Sequence, residues 1–208
     1  SNIPLVPSMA LGTAESTLLE ITGAYAGILN KGISSIPYGL SSITIQGDSD
    51  SLLDHDMNTS LRVINENAAN QLTFMMMQVI RSGTGIRADL GERQAAGKTG
   101  TTQGARDAWF IGFTADYVVG VWMGYDDNRK LTGVTGGGMP ADIWRETMLR
   151  IHENIPLKNL IIDENKLINE LETANGVEFI NRIFKGLGDK AKKNSDNDFK
   201  SLLKNLFN

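Results

Sequence analysis

Apolar residues recur at helical spacing between residues 14 and 31, where Leu18, Leu19, Ile21, Tyr25, Ile28 and Leu29 predict a helix. Thr13 or Ser16 stands where a cap belongs, and Gly32 follows as a stop. A second helix is predicted from about Asn67 to Arg81, with Leu72, Met75, Met76, Val79 and Ile80 turned inward and Ser82-Gly83-Thr84-Gly85 ending it. A run of three methionines in such a helix reads as adaptable core filler. Between the two helices, Gly, Pro, Ser and Asp punctuate β-branched runs such as Ile43-Thr44-Ile45. This predicts one or two short strands with an acidic turn at Asp48 to Asp56.

From residue 93 to 126 the period changes. Ala95 to Thr101, Asp107 to Thr114 and Tyr117 to Tyr125 are strand-length runs joined by Gln103-Gly104-Ala105-Arg106 and Ala115-Asp116. Connections that short require antiparallel neighbours, so the pattern predicts a three-stranded meander. In its last strand Tyr117, Val119, Val121 and Met123 point one way, and Val118, Gly120, Trp122 and Gly124 the other. Apolar residues on both sides call for a sheet covered on both faces, and Gly120 and Gly124 leave room for a helix to approach. Residues 140–152 are the expected helix, with Pro140 at the first helical position and Ile143, Trp144, Met148 and Ile151 as its apolar stripe. The fold class is therefore mixed α/β (α+β): an antiparallel sheet with helices on both faces. After Glu153 the pattern loosens into two short amphipathic stretches, Leu160 to Leu171 and Val177 to Phe184. A polar run from Lys185 to Lys200 and a short apolar end follow.

Composition narrows the chemistry more than the fold. At 208 residues the chain is long enough for one domain. Having no cysteine, it has no disulfide framework, thiolate metal cluster or cysteine nucleophile. His55 and His152 are too few and too far apart to suggest a metal site, and no cofactor is expected. The net charge of -4 gives no electrostatic reason to expect nucleic acid. No run reaches the roughly 18 apolar residues of a membrane span. The N-terminus has neither the charge nor the apolar stretch of a signal peptide. Since it also begins without methionine, the chain reads as a piece of a longer protein.

The stretch that carries chemistry is Gly97-Lys98-Thr99-Gly100-Thr101-Thr102, on the first strand of the meander. Lys98 supplies a point charge, and Thr99 and Thr101 supply hydroxyls on one strand face, two residues apart. Gly97 and Gly100 leave space for another backbone or a substrate to come close. At a sheet edge such a strand can hold an extended peptide, and one of its N–H groups can face a reacting carbonyl. A phosphate loop is excluded, because Glu92 stands where its first glycine belongs and a strand follows instead of a helix.

Alone, Lys-Thr-Gly is a weak signal; its surroundings sharpen it. Pro7-Ser8-Met9-Ala10-Leu11-Gly12-Thr13, Asn30-Lys31-Gly32 and Gly83-Thr84-Gly85 precede it. Asp107-Ala108-Trp109-Phe110-Ile111-Gly112-Phe113, Gly120-Val121-Trp122-Met123-Gly124-Tyr125-Asp126-Asp127, Gly136-Gly137-Gly138 and Pro140 to Met148 follow. In this order residues 3–153 resemble the C-terminal part of the transpeptidase domain of a class A (bifunctional) penicillin-binding protein, with 154–208 an unassigned extension. The resemblance implies a serine that attacks a D-Ala-D-Ala stem peptide, an acyl-enzyme that crosslinks peptidoglycan, and trapping of that serine by β-lactams. It implies that Lys98 completes the polar network around the leaving group. The strand Lys98, Thr99, Gly100, Thr101 would bind the substrate carboxylate, and the Thr101 N–H would form half the oxyanion hole. Trp109 and Trp122 are expected to pack the sheet.

The family's Ser-x-x-Lys and Ser-x-Asn precede Lys-Thr-Gly, and nothing before Lys98 fits either one. Ser195-Asp196-Asn197 and Ser201-Leu202-Leu203-Lys204 match formally but come afterwards, in reversed order, in a polar tail. The expectation is thus the carboxylate-binding wall of an active site without its nucleophile. Such a piece is inactive alone and is completed by an upstream segment of the same protein. The expected partners are peptidoglycan stem peptides and β-lactams, with no nucleic acid, and dimerisation through exposed apolar surface. The expected location is the periplasmic or extracytoplasmic side of a bacterial membrane, anchored by another segment. A β-lactamase-like hydrolase, or a non-catalytic interaction module, are the alternative readings.

Overall fold

A computed structural model describes residues 14–47, 50–54 and 61–160. In chain order these residues form α1 (Leu18–Leu29), β1 (Ser42–Thr44), β2 (Ser51–Asp54), α2 (Glu66–Arg81), β3 (Ala96–Thr101), β4 (Asp107–Phe113), β5 (Val118–Gly124) and α3 (Met139–Ile151). The antiparallel meander β3-β4-β5 is the centre, and β1 and β2 form a separate exposed hairpin, so Ser51–Asp54 is a strand paired with β1 where an acidic turn is expected. Pro7 to Thr13, both ends of the acidic turn at Asp48 and Asp56, His55, the amphipathic stretches beyond Leu160 and the Ser195 and Ser201 matches lie outside the described residues.

Pair register assigns each side chain a face. Gly97–Gly112–Val119, Thr99–Phe110–Val121 and Thr101–Ala108–Met123 run across one face of the three strands. On that side Phe110 packs with Ala141, Trp144 and Met148 of α3 and with Ile80 and Ala95. Ala96–Phe113–Val118 and Gly100–Trp109–Trp122 share the other face. There Phe113 and Ala96 pack with Ile28, Met76 and Met77, drawn from α1 and α2. Helices thus cover both faces of the sheet, as the apolar pattern of the last strand requires.

One assignment is reversed. The helix that uses Gly120 is α1, not residues 140–152: a Cβ at Gly120 would overlap the Thr22 hydroxyl and lie 2.9 Å from Leu18 Cδ1. Gly124 instead makes room for the Trp122 ring of its own strand. On the opposite face Trp144 is fully buried, its indole N–H donating to the carbonyls of Val119 (3.0 Å) and Gly112 (3.3 Å).

The helix ends follow from local chemistry. The cap of α1 is Thr17, rather than Thr13 or Ser16. Its hydroxyl accepts from Glu20 N–H while the Glu20 carboxylate accepts from Thr17 N–H at 2.9 Å. Gly32, at φ +88°, ends this helix and passes beneath Ile64, where a side chain would strike the Ile64 carbonyl. Within α2 the inward methionines are Met76 and Met77, whereas Met75 is exposed. Within α3 Ile143 and Ile151 are exposed too, and Pro140, Ala141, Trp144 and Met148 make the buried stripe.

Residues after α3 return to the body. Arg93, 9% exposed, donates to the carbonyls of Ile155 (2.7 Å) and Pro156 (3.2 Å), and Gln94 accepts from Leu160 N–H at 3.0 Å. Leu160 joins the core beside Phe113. Asp116, in the β4–β5 turn, lies between Lys158 and Arg93. The hydrogen bond from Lys158 holds its carboxyl below the usual range, against the desolvation that would raise it; the charges of Lys158 and Arg93 act in the same direction as the hydrogen bond. His152 is buried, bridging Thr114 Oγ1 (3.0 Å) and the Met148 carbonyl (2.8 Å). Its Nδ1 therefore carries the proton given to Met148, leaving Nε2 to accept from Thr114. This histidine serves packing.

Candidate active site

β3 is an edge strand among the described strands, with β4 on one side only. Thr102 N–H donates across to the Asp107 carbonyl at 3.0 Å. By antiparallel alternation, Gly100 and Lys98 also direct their N–H groups at β4, while Thr101, Thr99 and Gly97 direct theirs at the outer edge. The N–H that sequence reasoning singles out at Thr101 thus faces away from the sheet.

The side chains divide between the two faces and then converge. Thr99 and Thr101 share the α3 side; Lys98 and Gly100 belong to the other. The exposed Lys98 folds round the outer edge, its Nζ reaching the Thr99 carbonyl at 2.9 Å and lying 3.5 Å from Thr99 Oγ1. One cation and two hydroxyls therefore line a strand edge that also offers backbone donors. This array can hold a carboxylate through charge-assisted hydrogen bonds while pairing with an extended peptide.

Two other segments complete the edge, and sequence reasoning gave neither a role in the site. Thr84, exposed in the loop after α2, has its Oγ1 2.8 Å from Thr99 Oγ1. The glycines before α3 close from the other side, Gly136 N–H donating to Thr101 Oγ1 at 3.0 Å. A side chain at Gly136 would strike the Gly100 and Trp109 carbonyls, and one at Gly137 would strike the Thr84 carbonyl. The only sequence signal for these contacts was glycine itself, in Gly83-Thr84-Gly85 and Gly136-Gly137-Gly138. An Arg87–Asp142 ion pair, with Arg87 Nε 2.7 Å from Asp142 Oδ1, ties the segment after α2 to the start of α3.

The space beside Gly97 belongs to the core rather than to a substrate, since a Cβ there would lie 2.8 Å from the Phe110 ring. Gly100 faces the Trp109 Cβ at 3.2 Å, and the backbone approaching it is that of Gly136. Trp109 and Trp122 pack against each other at 6.1 Å across the sheet, and the Trp122 indole donates to Asp107 at 3.0 Å. The Asp107 carboxylate also accepts from Thr102 Oγ1, whose oxygen takes the N–H groups of Arg106 and Asp107. The β3–β4 turn is thereby held rigid next to Thr101.

A lysine-bearing edge strand in a meander clad by helices on both faces defines a class. Residues 6–148 match the penicillin-binding protein transpeptidase domain, and the chain belongs to that family. Among its relatives, penicillin-binding protein 1A of Aquifex aeolicus is 32% identical over 183 residues, covering 83% of this chain and 25% of the relative. Penicillin-binding protein 1A of Rickettsia typhi is 34% identical over 186 residues, covering 78% of this chain and 24% of the relative. Among solved structures, penicillin-binding protein 1A of Haemophilus influenzae superposes with a TM-score of 0.66 at 26% identity, covering 78% of this chain and 30% of that one. PonA1 of Mycobacterium tuberculosis gives 0.65 at 25% identity, covering 76% and 43%. The chain spans about a quarter of the length of the curated relatives it matches. Among the described residues no helix is long and apolar enough to cross a membrane.

Proposed function

We propose that this chain supplies the carboxylate-binding wall of a peptidoglycan D,D-transpeptidase that acts through a serine acyl-enzyme and is trapped by β-lactams. The observation that carries the reading is the outer edge of β3, where the Lys98 ammonium lies beside Thr99 and the Thr101 N–H points away from the sheet. A stem peptide or a penicillin lies antiparallel along this edge. Lys98, Thr99 and Thr101 hold its carboxylate, and Gly100 lets the Gly136 backbone close over the strand beside them. The Thr101 N–H and the N–H of the attacking serine share the oxyanion as the tetrahedral intermediate forms. The nucleophile comes from an upstream segment of the same protein. The reaction takes place on the extracytoplasmic side of a bacterial membrane, where another segment anchors the enzyme.

Acylation by a fluorescent penicillin tests this. The full-length protein carrying this chain is expected to be labelled, and Lys98→Ala to slow labelling about 100-fold, the order of loss when an electrostatic stabiliser leaves an acyl-transfer site. The 208-residue chain alone is expected to stay unlabelled. A covalent adduct on the isolated chain, or a Lys98→Ala protein labelled at the wild-type rate, would overturn the proposal.

A further inference from the structure

We propose that Thr84 is a positioning residue for the carboxylate site, acting through Thr99. The inference rests on the function proposed above and adds a residue to it. The two hydroxyl oxygens are 2.8 Å apart, a length at which one must donate to the other. The Lys98 ammonium lies 3.5 Å from the same Thr99 oxygen.

Hydrogen-bond accounting decides the direction once an anion is present. Thr99 has one proton and two lone pairs. Were Thr99 to donate to Thr84, its oxygen would meet an incoming carboxylate with lone pairs, which repel. With Thr84 donating and Lys98 supplying a second donor, the Thr99 oxygen is filled as an acceptor. Its single proton then has the carboxylate as its remaining partner. A chain Thr84 O–H to Thr99 O–H to carboxylate results, in which each bond polarises the next.

The loop is built to hold Thr84 there. Its neighbour Gly85 is buried against Val79 and the Phe110 ring, and Gly137 lies so close to the Thr84 carbonyl that a side chain would not fit. Thr84 thus reaches Thr99 from a seated backbone, at little entropic cost.

The test compares acylation of the full-length protein by benzylpenicillin and by its methyl ester, which keeps the reactive ring and lacks the carboxylate charge. Thr84→Val is expected to slow acylation by the acid about tenfold, and by the ester less than about twofold, the scale of one hydrogen bond to a charged partner. Thr84→Ser keeps the hydroxyl and should stay within about twofold of wild type for both compounds. In a Thr99→Val background, Thr84→Val should add no further loss. If the valine variant does not fold, Thr84→Ala reads the same acid-to-ester difference. Equal losses with acid and ester, no loss with the acid, or a full loss persisting without Thr99 would each overturn the assignment of Thr84 alone. A wild-type protein that neither compound acylates would overturn the underlying function and this inference with it.

Discussion

Lys98 and Thr99 are neighbours in sequence and lie on opposite faces of β3, yet their polar atoms meet because a lysine stem is long enough to fold round a strand edge. Period-two alternation is enough to place Thr99 and Thr101 on one face. It cannot place Thr84, because the contact that matters joins residues 15 apart through a loop whose path depends on glycine packing. Asp116 makes a sharper demand on chemistry. The Lys158 hydrogen bond lowers its pKa in the folded state, so it contributes stability above the ordinary carboxylate pKa of about 3.9 and loses it as pH falls through the lowered value. Asp116→Asn removes that contribution. The stability gap between wild type and variant should therefore be largest near pH 5 and shrink toward pH 3, as urea unfolding across about pH 3 to 6 would read. A gap that stays constant across this range would contradict that sign.

At the scale of elements, the strands of the meander were legible to within a residue because its turns are short, whereas β2 lies inside the stretch read as an acidic turn. Helix faces were less so. Met75, Ile143 and Ile151 satisfy the apolar period and are exposed, since a stripe about 100° wide admits more residues than a neighbouring sheet can cover. Gly120 announced a close helix without saying which one. The choice between α1 and α3 depends on which sheet face each loop can reach. The capping box of α1 gives a direct measure of how far this helix depends on its local start. Thr17→Ala removes the acceptor for Glu20 N–H and should cost about 1 kcal/mol in thermal or urea unfolding. Ser16→Ala, whose hydroxyl only supplements Glu20, should cost less.

Over the described residues as a whole, two cores flank the three-stranded sheet, and residues 155–160 close one end of it. That closure left little trace in the sequence, where the pattern merely loosens after Glu153. Its determinants, Arg93 and Gln94, are polar residues that periodicity leaves uninterpreted. Ending the chain after Glu153 would strip Arg93 of two carbonyl acceptors and would remove Leu160 from the Phe113 cluster. Two hydrogen bonds lost from a charged donor and a lost leucine together should lower stability by about 2 kcal/mol or more, measurable as a reduced urea midpoint. An unchanged midpoint would mean that these residues only rest on the surface.

The glycine closure over Thr101 bears on the order in which the molecule comes together. The meander pairs consecutive strands across short turns, so each step closes a small loop soon after its strands exist. Gly136 must instead return across 35 residues to Thr101, and Arg87 must find Asp142 across 55. Chain entropy therefore favours an early sheet and a late edge. The edge that Thr101, Gly136 and the Arg87–Asp142 pair complete is among the last parts of the described chain to become itself.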